Sequence, residues 1–118
     1  MIHIKSRNTK WQKEPGYSRG VLLPYGNEID SGMQIQLNTF DPGKGAFNHK
    51  HLQQTEFIYC LEGNLTLIFK DREIIFKPGD LLIIEPGDEH AARNPGNETV
   101  KILTVKINGS SDDTEWLD

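Results

Sequence analysis

Cysteine is almost absent from this chain: among 118 residues only Cys60 carries a thiol, so no intrachain disulfide can staple the fold. A thiol without a partner fits a reducing compartment, and a cytoplasmic location is the expectation. Long apolar runs are missing as well. None approaches the roughly 20 residues that a membrane-crossing helix needs. The stretch Met1 to Pro15 lacks the apolar core and small-residue cleavage site of a secretory leader. Nor is charge of one sign concentrated anywhere. The 13 Lys and Arg against 17 Asp and Glu give −4 with no basic patch, so neither nucleic acid nor a membrane is expected as a partner. Internal repeats are absent, and no window holds a helical period over roughly ten residues.

What is present is punctuation. Pro15-Gly16, Gly26-Asn27, Asp41-Pro42-Gly43, Gly63-Asn64, Pro78-Gly79-Asp80, Pro86-Gly87-Asp88 and Pro95-Gly96-Asn97 break the chain into short segments rich in Ile, Val, Leu, Thr, Phe and Tyr. Short strands at this spacing suggest an all-β class, a sandwich or a small antiparallel β-barrel. Met33–Asn38 and Val100–Ile107 alternate apolar and polar; the second places Val100, Ile102, Thr104 and Lys106 on one face. Leu65–Phe69 and Glu73–Phe76 read as a hairpin across Lys70-Asp71-Arg72. The continuous apolar run Leu81-Leu82-Ile83-Ile84 reads as a strand buried on both faces. The length suits a single domain, 1–118, with residues 1–20 as an N-terminal strand or arm and 109–118 as a flexible acidic tail. The alternative for the tail is that Trp116 and Leu117 dock on this subunit or a neighbour.

Three histidines carry chemistry. His49 and His51 are two apart, which on a strand puts both imidazoles on one face. Two adjacent imidazoles repel if both protonate, and a divalent cation binds both as neutral ligands. Glu56 lies five residues past His51, an odd step, so a turn through Leu52-Gln53-Gln54-Thr55 must intervene for it to face the same cavity. His90 follows the Pro86-Gly87-Asp88 turn and would enter from a distant strand. Three imidazoles and a carboxylate suit one divalent transition-metal ion, Fe, Mn, Ni, Co, Cu or Zn, better than calcium or magnesium. A lone histidine in a β protein is usually structural, and His3 is read that way.

These residues resemble the two motifs of the cupin superfamily. The first motif reads Gly43, His49-Lys50-His51, Glu56 and Gly63, with every fixed position in place. The second reads Gly79, Pro86-Gly87, His90 and Asn94, and departs at one point: Glu85 stands where a proline is expected, with Pro86 one place later. Together they cover Gly43 to Asn94, a little under half of the chain. The resemblance implies a jelly-roll or double-stranded β-helix barrel of the one-barrel type. It also implies a homodimer, with the N-terminal strand region the first place to seek exchange between subunits. It does not specify a reaction, because this fold hosts oxygenases, isomerases, lyases and binders.

Strand parity gives an expected lining. Gln34, Gln36 and Asn38 are assigned to the pocket or to the groups behind the ligands, with Phe47, Ile58, Cys60 and Asn94; Phe69 and Ile84 add apolar surface. Gln36, Asn38 and Asn94 are candidates to hold the second ring N–H of the imidazoles. The bland reading of Cys60 is a small core residue, and that of Asn94 a turn stabiliser. No Arg or Lys cluster surrounds the motifs, and Arg93 should face away, so the lining suits a small substrate with an apolar part. No catalytic residue is assigned. The favoured function is a metalloenzyme acting on a small organic molecule, of dioxygenase, lyase or isomerase type. The alternative is a non-catalytic small-molecule or metal-binding module.

Overall fold

Eleven strands run through a computed structural model of the chain, which describes residues 1–117. They are β1 Trp11–Glu14, β2 Tyr17–Leu23, β3 Gln34–Phe40, β4 Gly45–His51, β5 Thr55–Glu62, β6 Leu65–Phe69, β7 Glu73–Phe76, β8 Leu81–Ile84, β9 His90–Arg93, β10 Val100–Ile107 and β11 Thr114–Trp116. A single 3₁₀ turn, Ser6–Asn8, precedes them. All pairings are antiparallel.

The strands form two sheets, ordered β1-β2-β3-β10-β5-β8 and β11-β4-β9-β6-β7. The barrel is therefore a pair of facing sheets, not a closed ladder. The core lies between them: Phe40, Ile58, Cys60, Ile84, Val100 and Ile102 from the larger sheet meet Leu65, Leu67 and Phe76 from the smaller. Packing is tightest where β4 crosses β9. A Cβ on Gly45 would stand 1.9 Å from the Ala92 carbonyl oxygen, so only glycine fits there.

The expected hairpin is β6–β7, paired from Leu65↔Phe76 to Ile68↔Glu73. The alternating segments are β3 and β10, neighbours in register from Val100↔Phe40 to Lys106↔Gln34. Two expectations are corrected. The run Leu81–Ile84 forms β8, an edge strand with Leu81 59% and Ile83 51% exposed; it is buried on one face only. The stretch 109–118, expected as a flexible acidic tail, carries β11, which pairs with β4 from Thr114↔His51 to Trp116↔His49. Its acidity misleads because Asp113 is buried and its carboxylate is used. That carboxylate accepts from the backbone N–H of Gln53 and of Gln54 at 2.9–3.1 Å.

Candidate metal centre

Three strands deliver the four residues of the cluster. His49 and His51 come from β4, Glu56 from β5 and His90 from the first position of β9. The bend 52–54 between β4 and β5 supplies the phase change that the odd spacing requires. Gly87, at φ +86°, closes the turn before β9, and its N–H donates to the His51 carbonyl at 2.8 Å. The displaced proline thus leaves His90 in place, opposite His49 in the β4–β9 pairing.

One ligand atom from each of the four side chains lies within 4.8 Å of the others. Donors bound about 2.1 Å from one ion lie roughly 3–4.2 Å apart, so a contraction of a few tenths of an ångström suffices. His51 Nε2 stands 2.8 Å and His90 Nε2 3.5 Å from Glu56 Oε1. The His51–Glu56 approach is close, yet its geometry is not that of a hydrogen bond: both atoms are buried without a hydrogen-bond partner. Two buried polar atoms left without a partner side by side are what an ion would satisfy.

The three Nδ1 atoms are all engaged. Nδ1 of His49 lies 2.8 Å from the Phe47 carbonyl, and Nδ1 of His90 lies 2.9 Å from the Asp88 carbonyl. A carbonyl only accepts, so each Nδ1 carries the proton and each Nε2 keeps its lone pair. Nδ1 of His51 lies 3.2 Å from Thr114 Oγ1. These partners replace the expected Gln36, Asn38 and Asn94. Burial, then the charge of neighbouring His90, pushes the His49 pKa down to about 4, so it is neutral at pH 7. Burial alone would raise the Glu56 carboxyl, but the close approach of His51 and His90 outweighs it and holds the group well below the usual range.

A cavity of about 240 Å³ opens on this cluster. Gln36, Asn38, Ile58 and Ile84 are among the residues that line it. Gln34 lies outside the lining but is tied to it by a chain of side-chain bonds: Gln34 Nε2 donates to Gln36 Oε1 at 2.7 Å, and Gln36 Nε2 to Asn38 Oδ1 at 3.0 Å. Three residues expected in the pocket lie elsewhere. Phe47 is 65% exposed, because a bulge between Ala46 and His49 shifts the phase and turns Ala46 inward instead. Cys60 has the inward parity but sits in the apolar core, its Sγ 3.2 Å from the Gly63 carbonyl. Asn94 braces its own turn, donating to the Phe40 and Glu98 carbonyls and accepting from the Gly96 N–H. Phe69 stacks on His90 rather than lining the cavity.

Trp116, whose docking was the alternative reading of the C-terminal stretch, packs against His49, ring centroids 4.8 Å apart. Sequence reasoning missed several other lining groups. Thr114 holds His51. Arg19, Glu14 and Tyr17 reach in from the β1–β2 hairpin, and Lys106 from the end of β10. Of these, Lys106 alone left a trace, through its parity with Thr104. The cavity is thus more cationic than the motifs alone suggested.

Two facing antiparallel sheets with a His₃Glu cluster suited to a metal ion define the class of protein, and comparison with known proteins names the group. The sequence model of the cupin domain matches residues 36–106, and the chain belongs to that family. It is 33% identical over 79 residues to the quercetin 2,3-dioxygenase of Bacillus subtilis, covering 66% of this chain and 23% of that protein. It is 30% identical over 66 residues to an oxalate-binding protein of Thermotoga maritima, covering 56% of this chain and 54% of that one. Both curated relatives therefore extend well beyond the matched region. In structure it is similar to a predicted oxalate decarboxylase of Thermotoga maritima, with a TM-score of 0.82 at 21% identity, over 90% of this chain and 98% of the other.

Proposed function

We propose that this cupin binds one divalent transition-metal ion through His49, His51, Glu56 and His90, and acts as a metalloenzyme on a small organic molecule held beside it. The observation that carries the reading is the buried pair His51 Nε2 and Glu56 Oε1, unpartnered within a cluster whose three Nδ1 atoms are already engaged. The donor set is three imidazoles and one carboxylate, which favours Fe, Mn, Ni, Co, Cu or Zn. Such an ion, when bound, supplies Lewis acidity or redox chemistry to a ligand in the cavity. The protein's own part is orientation and exclusion. The Phe47 and Asp88 carbonyls and Thr114 aim the imidazoles, and the walls formed by Phe40, Ile58, Leu65, Leu67 and Ile102 keep one side of the cavity apolar.

Dioxygenase, lyase and isomerase chemistry all suit this arrangement, and the likeness to a quercetin dioxygenase supports the first. A second reading is a non-catalytic binder, supported by the likeness to an oxalate-binding protein and by the lack of a free acid among the cavity's carboxylates: Glu56 belongs to the cluster and Glu14 pairs with Arg19.

Elemental analysis of purified protein tests the ion. Wild type should hold about one ion per chain, and His49→Ala and His51→Ala should each lose most of it. Unchanged metal content in both variants refutes the reading. Oxygen-uptake and turnover screens on the loaded protein then separate enzyme from binder.

The assembly we favour is a homodimer. Tyr59, Leu61, Leu81 and Ile83 are exposed apolar side chains on one face of β5 and β8, where Tyr59 lies opposite Leu81. Light scattering should give twice the monomer mass, falling to one for a Leu81→Lys/Ile83→Lys double variant; a monomeric wild type refutes it. Buried, unpaired Cys60 supports a reducing, cytoplasmic setting.

A further inference from the structure

Four side chains of fixed charge type line the cavity: Glu14, Arg19, Glu56 and Lys106. Two are acids and two are bases, so the lining balances while no ion is bound. Their pairing is uneven. Arg19 Nη2 meets Glu14 Oε1 at 2.8 Å, but Arg19 Nε is buried with no partner. Among the described residues, no carboxylate lies within ion-pair distance of Lys106. Its nearest acid by topology is Glu56, its direct partner across β5 and β10.

The proposed ion upsets this balance. A divalent cation takes the charge of Glu56 for itself and leaves the enclosed space with two net positive charges. Uncompensated charge in a low-dielectric cavity is expensive. The other acid near Lys106, Asp113, is committed to the N–H groups of Gln53 and Gln54 and cannot compensate. Burial already pushes the Lys106 ammonium below its ordinary value. Donors without acceptors and positive charge without a counter-ion describe a seat for an anion. The free guanidinium edge and the ammonium suit a carboxylate, which accepts hydrogen bonds from both. The apolar wall of Ile58, Ile84 and Ile102 suits the carbon skeleton behind it. A cavity of 240 Å³ lies below the roughly 300–1,000 Å³ of drug-sized sites, which fits a small acid and not a nucleotide.

We infer, building on the ion site proposed above, that the substrate or ligand of this cavity is a small organic carboxylate, seated on Arg19 and Lys106 with its carbon skeleton toward the metal cluster. Arg19 and Lys106 lie outside both histidine motifs, so this seat is a property of this chain's β2 and β10.

Calorimetric titration with acetate, malonate and benzoate, each beside its amide, tests the seat on manganese-loaded and on metal-free protein. At least one carboxylate should bind about tenfold or more tightly than its amide, the discrimination expected of a charged hydrogen bond. Lys106→Met and Arg19→Gln should each weaken that binding by about tenfold with metal content unchanged. Lys106→Arg should restore most of it, which separates loss of charge from loss of fold. No preference for any carboxylate over its amide, or wild-type affinity in both charge-removing variants, overturns the inference. The two readings fail separately. Manganese bound without carboxylate preference removes the seat and leaves the ion site. Carboxylate binding through Arg19 and Lys106 in protein that retains no ion upholds the seat and removes the ion site.

Discussion

Replacing Asp113 by Ala should damage the metal centre from outside it. The Asp113 carboxylate accepts from Gln53 N–H at 3.0 and 3.1 Å and from Gln54 N–H at 2.9 Å, and so clamps the bend between His51 and Glu56. The backbone bond from Leu52 N–H to the Asp113 carbonyl survives the substitution, so the variant removes the carboxylate alone. Gln54 is 1% exposed, which leaves little room for water to take over. Hydrogen bonds to a charged acceptor contribute about 1.5–3 kcal/mol each, and one buried and one partly buried N–H group lose theirs. Allowing for partial relaxation, the loss is about 3 kcal/mol, or roughly 10–15 °C in Tm for a domain of this size. Urea unfolding of metal-free protein, followed by circular dichroism, measures the first part. A metal titration measures the second: affinity should fall at least about tenfold, as for other groups that orient ligands from behind. Asp113→Asn keeps one acceptor and should lose about half as much. A change below about 0.5 kcal/mol in Asp113→Ala would show that the bend is held by other contacts and that β11 does not organise the cluster.

Acid should unfold the metal-free protein through His49. Its pKa of about 4 in the fold lies below the ordinary 6.5 of an imidazole, so between those values the unfolded chain binds a proton that the folded chain does not. Stability therefore falls with pH through that window, by about 2 kcal/mol from pH 7 to pH 5. The depressed Glu56 adds to the loss below its ordinary range. Urea midpoints at the two pH values should converge in His49→Gln; equal pH slopes in variant and wild type would count against a buried neutral His49. Trp116 gives an optical test. In a Trp11→Phe background, copper(II) should quench the remaining tryptophan and saturate at one equivalent, because its ring packs on His49. Unchanged emission on metal binding would place Trp116 away from the ion.

The ligand set was legible because its spacing obeys strand parity and because turn formers isolate each segment. His49 and His51 two apart on β4, and the bend that brings Glu56 into phase, follow from alternation alone. Parity failed where pairing is irregular. Phe47 shares the parity of His49, yet the bulge in β4 reverses it. Composition failed in two places. Leu81–Ile84 is apolar throughout but lies at a sheet edge, and the acidic C-terminal stretch holds a buried Asp113 and a strand. Arg19 and Lys106 come together only through the order β2-β3-β10 of the larger sheet, which no local pattern encodes.

The placement of β11 also orders events in time. A chain emerging from the ribosome presents His49, His51, Glu56 and His90 well before Asp113 and Thr114. During that interval every donor exists, but His51 lacks its hydroxyl partner and the bend lacks its clamp. β10, which bridges β3 and β5 at the centre of the larger sheet, arrives in the same late stretch. An ion bound through these four side chains would therefore meet a fully braced site only once β11 has been made, and Trp116 of that strand lines the cavity itself.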